Sequence, residues 1–103
     1  MNIKSLSDAL GLEEEEFLEL LALFADTGQA DLARMETGLS EGNADQVMRS
    51  AHTLKGASGN LGLTDISALA HVIEQHALNH RLEAAGRVFQ DLKSRVEAMQ
   101  SVA

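Results

Sequence analysis

From Phe17 onward the apolar residues recur every three or four positions. Phe17, Leu21 and Phe24, then Leu32, Met35 and Leu39, trace one stripe that predicts a long helix. Gly28 lies within that stripe and costs about 1 kcal/mol in a helix interior, so a kink or a division into two helices there is the alternative. Ahead of it, Leu6 to Leu10 suits a short leading turn or helix closed by Gly11. The acidic run Glu13 to Glu16 matches the positive end of a helix macrodipole and reads as a solvated helix start.

The polar break Ser40-Glu41-Gly42-Asn43 predicts a new helix, with Asn43 as N-cap and Gln46 as its capping-box partner, running to about Leu61. Gly62 is placed to end it in the left-handed conformation and Thr64 to cap the next helix, whose stripe is Ile66, Leu69, Ala70, Ile73 and Ala77. So short a connection makes the two helices antiparallel neighbours. A last helix, from about Arg81 to Met99, carries Leu82, Ala85, Phe89, Leu92, Val96 and Met99. The expected fold is all-α: an antiparallel up-down-up-down four-helix bundle with a short extra N-terminal helix, residues 1–103 forming one domain.

Composition agrees with this pattern. Leu and Ala dominate, only three Phe and no Trp or Tyr are present, and the absence of Pro leaves Gly and Asn to break the elements. A chain of 103 residues, 45% of them hydrophobic, has enough apolar side chain for one modest core. With no Cys, disulfides and thiolate metal sites are excluded, in keeping with a cytoplasmic protein. No run of about 18 apolar residues is present to span a membrane. Sixteen acidic against eight basic residues give a formal charge of -8, which repels nucleic acid and anionic membrane surfaces alike.

The chemistry concentrates in Ala51-His52-Thr53-Leu54-Lys55-Gly56-Ala57-Ser58-Gly59-Asn60-Leu61-Gly62. At roughly 100° per residue from His52, Lys55 falls near 300°, Gly56 near 40° and Gly59 near 340°, a single arc. Val47, Ala51, Leu54, Ser58 and Leu61 lie well round from it, at roughly 180° to 260°. His52 is therefore expected to project into solvent from a rigid helix. Glycines in a helix interior cost about 1 kcal/mol each, which asks for a reason beyond folding. At Gly56, one turn past His52, a missing side chain leaves space for a phosphoryl group and the surface that delivers it. Lys55 is positioned to neutralise phosphoryl oxygens. Gly59 either extends the clear surface or permits a close helix contact. The same exposed arc holds Asp45, Met48 and Arg49, which with Gly59 are the candidates for partner docking; Met48 packing inward and Arg49 as a solvated charge are the plain alternatives.

This segment resembles the signature of the histidine-containing phosphotransfer (HPt) family, His-x-x-Lys-Gly followed by two small residues and a further Gly. His52, Lys55, Gly56, Ala57, Ser58 and Gly62 occupy that pattern, and the order of apolar helices resembles the family from about Leu20 to Met99. The resemblance implies His52 as phosphoacceptor, Lys55 as its electrostatic helper and Gly56 as the clearance position, on a helix of a four-helix bundle. It implies a phosphorelay intermediary that exchanges phosphoryl with the aspartate of a response-regulator receiver domain and works with a hybrid sensor histidine kinase. No ATP-dependent kinase activity is expected of the chain, and Mg²⁺ is expected on the receiver, since no nucleotide loop or clustered acidic site is present here.

Three other readings compete with this one. A histidine-kinase dimerisation domain usually places an acidic residue directly after the histidine and a proline soon after; Thr53 follows here and proline is absent. A metal site at His71, His76 and His80 rests on little more than the four-residue spacing of His76 and His80. A non-catalytic helical adaptor, or degenerate phosphotransfer domain, would be signalled by a replaced histidine or lysine, and both are present. Because the histidine face must meet a partner, a monomer is expected; starting at Met1 and ending in Ser-Val-Ala without a linker suggests a free-standing protein.

Overall fold

The computed structural model describes residues 1–102. Among them are five helices and no strand: α1 (Ile3–Ala9), α2 (Glu14–Glu41), α3 (Ala44–Asn60), α4 (Thr64–Leu78) and α5 (Leu82–Val102). The capping chemistry accounts for most of the boundaries. Asn2 accepts the Ser5 N–H to start α1, and Gly11, at φ +69°, turns the chain towards α2. Glu16 Oε1 accepts the Glu13 N–H at 3.0 Å, so part of the acidic run serves the helix start. At α3, Asn43 Oδ1 accepts the Gln46 N–H at 3.1 Å. The reciprocal half of that box does not form, because the Gln46 amide donates instead to the Arg34 carbonyl at 2.8 Å and ties α3 to α2.

One sequence expectation holds and one needs correction. α2 is a single helix, and Gly28 causes no break: a Cβ there would lie 3.1 Å from Val96 Cγ1 and 3.6 Å from Leu54 Cδ1, so its bare backbone admits α5 and α3 close to α2. Thr64 does not cap α4 but is its first residue. Leu63, buried, occupies the cap position and its carbonyl accepts the Ser67 N–H at 2.9 Å, while Asp65 Oδ1 takes the Ile66 N–H.

α3 packs against α4, α4 against α5, α5 against α2 and α2 against α3, so the four long helices close a ring, with α1 resting on α2. The predicted stripes meet inside it. Phe17, Leu21, Met35, Val47, Leu54, Ile66, Ile73, Phe89, Leu92 and Val96 are all but inaccessible and belong to one apolar cluster. Gly62, at φ +76°, makes the turn between α3 and α4, a conformation that side chains resist. Among the described residues no helix is long and apolar enough to cross a membrane.

Candidate functional site

With Val47, Ala51, Leu54 and Ser58 facing the core, the opposite arc of α3 is left to solvent. His52 stands on that arc with its side chain 67% exposed. Lys55, one turn on, is 29% exposed. Between them and the neighbouring helix lies the residue that sequence reasoning missed. Glu74 of α4 points back at α3, its side chain only 10% exposed, and both candidate groups bind it: His52 Nδ1 lies 2.6 Å from Oε2, and Lys55 Nζ donates to Oε1 at 2.6 Å.

Burial alone would push the Glu74 carboxyl up. The hydrogen bonds and charges of Lys55 and His52 more than offset this and hold it below the usual carboxylate range. A carboxylate accepts and does not donate, so the contact places a proton on Nδ1, and in the neutral ring that leaves the lone pair on Nε2. Orientation and tautomer of the ring are thereby set from behind. Lys55 is not the free point charge that the sequence suggested, since in this structure its ammonium is engaged by the same acid. The signal for Glu74 was a charge at the edge of the apolar stripe, four residues after Ala70 and three before Ala77, both buried.

Gly56 is exposed, and a Cβ built on it would meet nothing within 4 Å. No neighbour among the described residues requires a glycine there. Gly59 is also exposed; its added Cβ would reach Ser67 Oγ at 3.4 Å, an ordinary contact, so the residue belongs to the open surface rather than to a forced close approach. Of the docking candidates, Asp45 and Arg49 are exposed and paired with each other at 3.0 Å, so Arg49 is a largely solvated charge within a surface ion pair. Met48 is half-buried against the core cluster, and it borders a shallow groove shared with Arg49, His52, Thr53 and Glu74. The structure thus brings His52 and Lys55 together on Glu74, with Gly56 open one turn past His52 and the docking candidates along the same face of α3.

The other histidines divide. His71 joins the site, with Nδ1 3.6 Å from Glu74 Oε1. His76 and His80 do not share a helix face, because α4 ends at Leu78 and His80 turns out of it at φ +56°. Among the described residues no group of three or more His, Cys, Asp or Glu side chains is placed to hold a metal ion.

The molecule is thus a helical protein whose ring of helices displays an exposed histidine, contacted from behind by an acid and followed one turn on by a bare glycine. A family model, the Hpt domain, matches residues 19–102, and the chain belongs to that family. Membership supports a phosphotransfer role in two-component signalling, as a carrier rather than a kinase. Among solved structures, the chain is similar to histidine-containing phosphotransfer protein B (HptB) from Pseudomonas aeruginosa PAO1, with a TM-score of 0.81 at 22% identity, covering 97% of this chain and 84% of that one. That likeness concerns the fold. A comparison with curated proteins gives no match.

Proposed function

We propose that this chain is a phosphorelay intermediary in which His52 accepts a phosphoryl group from the aspartate of a receiver domain and donates it to another. The observation that supports the reading is the His52–Glu74 contact near an unobstructed Gly56: with the carboxylate accepting from Nδ1–H, a neutral ring keeps its lone pair on Nε2, on a largely exposed side chain. In the forward step the Nε2 lone pair attacks phosphorus, the N–P bond forms, and the acyl O–P bond breaks to return the receiver's aspartate carboxylate. No proton is lost. The ring keeps its Nδ1 proton and becomes cationic, and the Glu74 carboxylate stabilises that charge, as a buried acid does behind a catalytic imidazole. In the reverse step the same proton makes the leaving group a neutral imidazole. Lys55 neutralises phosphoryl oxygens, and Gly56 leaves room for the receiver.

Mg²⁺ belongs on the receiver's side of the contact. The acid beside His52 does not suit it, because both Glu74 oxygens are already bound, one by a cation. Asp45, Met48, Arg49 and Gly59 form the docking surface around the histidine. We read residues 1–103 as one domain, its four long helices running alternately up and down, and the protein as a monomer of the cytoplasm that serves a hybrid sensor kinase and a receiver. The test is to mix the purified protein with a phosphorylated receiver domain and Mg²⁺ and to follow label into acid-labile, alkali-stable phosphate. His52→Gln should abolish labelling. Labelling that survives that substitution rejects the reading, and labelling by ATP alone moves the protein to the kinases.

A further inference from the structure

Glu74 Oε2 is held by His52, and Oε1 by Lys55, each at 2.6 Å. Phosphorylation disturbs this arrangement. Nε2 lies across the imidazole ring from Nδ1, so a phosphoryl group on His52 and the Glu74 carboxylate occupy opposite ends of the ring. One ammonium cannot serve both fully, and the phosphoryl oxygens carry the greater charge. As Lys55 swings towards them, Oε1 of a carboxylate only 10% exposed loses its partner. A buried, orphaned carboxylate oxygen is expensive, and that expense opposes the movement of Lys55.

One side chain is placed to remove it. His71 stands three residues before Glu74 on α4, hence on the same helix face, with Nδ1 3.6 Å from the same Oε1. That separation is outside hydrogen-bond range while Lys55 is present. A shift of under about 1 Å brings the pair within it. His71 is 54% exposed, leaving its ring room to turn. No other basic side chain approaches Glu74 among the described residues beyond His52 and Lys55.

We propose that His71 is a positioning residue of the phosphotransfer site, which donates its Nδ1–H to Glu74 Oε1 when Lys55 moves to the phosphoryl group on His52. His71 touches neither the phosphoryl group nor the attacking nitrogen. It acts through Glu74, keeping the acid satisfied and aligned behind the ring while Lys55 changes partner. The inference rests on His52 being the phosphoacceptor.

The experiment uses the whole chain as wild type, His71→Leu, His71→Gln and His52→Gln, each charged by a phosphorylated receiver domain with Mg²⁺. Transfer rates are read from label, and the His71 ring nitrogens are followed by NMR before and after phosphorylation. His71→Leu should slow transfer about fivefold, the worth of one hydrogen bond, with the thermal midpoint of the unphosphorylated protein unchanged. His71→Gln, which keeps a donor able to reach Glu74, should restore most of the rate. In the wild type, the His71 Nδ1 resonance should move to a hydrogen-bonded position on phosphorylation. A wild-type rate in His71→Leu, a His71→Gln variant as slow as His71→Leu, or ring resonances indifferent to phosphorylation would each overturn the proposal. Label on His52→Gln would instead reject the phosphoacceptor assignment, so the two failures are told apart.

Discussion

A Cβ placed on Gly38 of α2 would lie 2.8 Å from Val47 Cγ2 and 3.1 Å from the Asn43 carbonyl oxygen, whereas one placed on Gly56 of α3 would meet no atom within 4 Å. Both residues sit in helices, where glycine is a poor choice. At Gly38 the reason lies inside the molecule: the backbone of α2 must let α3 turn back against it. At Gly56 the described residues give no such reason, and Gly86 of α5 is equally open, so space alone does not assign a role; the proposal is that at Gly56 it serves what approaches from outside. The difference separates a glycine that packing requires from one that packing does not, a distinction that residue type alone does not make.

Substitutions can break that contrast. The largest effect is expected from Gly56→Leu, which should leave the fold intact yet lower transfer from a phosphorylated receiver about a hundredfold, or about 2.7 kcal/mol. Unimpaired transfer would remove the clearance account. Gly38→Ala should do the reverse, destabilising the protein by about 1–3 kcal/mol through overpacking, seen as a lower urea midpoint, while the folded fraction still transfers phosphoryl. Lys55→Ala comes next, with an expected loss of about tenfold in transfer rate, or about 1.4 kcal/mol. The smallest effect is the most diagnostic. Gly56→Ala should raise stability by about 1 kcal/mol, visible as a thermal midpoint higher by roughly 4–8 °C, because an open helix position gains from a methyl group. A lower midpoint would mean that Gly56 has a structural role after all.

Acid sharpens the comparison from the side of Glu74. Its folded-state pKa lies below the ordinary carboxylate value, so the stability it contributes is complete above that value and is lost as pH falls through the depressed one. Denaturation midpoints should therefore decline on the acid side of about pH 4, and part of that limb should be absent in Glu74→Gln.

The helices were legible because amphipathic periodicity is local, and so was the cluster His52, Lys55 and Gly56, which occupies adjacent turns of one helix. Gly62 and Asn43 were readable from turn and cap chemistry. Glu74 was not, since it lies 22 residues from His52 and the pair meets only through the register of α4 against α3. The engagement of Lys55 was hidden for the same reason. The continuity of α2 was read from its stripe, but the packing reason for Gly28 was not, because Val96 and Leu54 arrive from two other helices. The cap at Leu63 defeated a rule of residue preference because burial of that leucine decided where the helix could begin.

The link between α3 and α4 has a further consequence. Leu61 to Leu63 is pinned by backbone bonds from Gly62 N to Gly59 O at 3.1 Å and from Leu63 N to Ser58 O at 3.0 Å, so it acts as a ruler of fixed length. It converts a separation in sequence into a meeting of acid and imidazole. A helix turns about 100° per residue, so a single residue gained or lost between Ser67 and Glu74 would carry the carboxylate off to another side of α4 while every side chain of the site kept its identity. The pairing is thus encoded by counting as well as by composition, and a length change within this hairpin would part the acid from the imidazole without altering either residue.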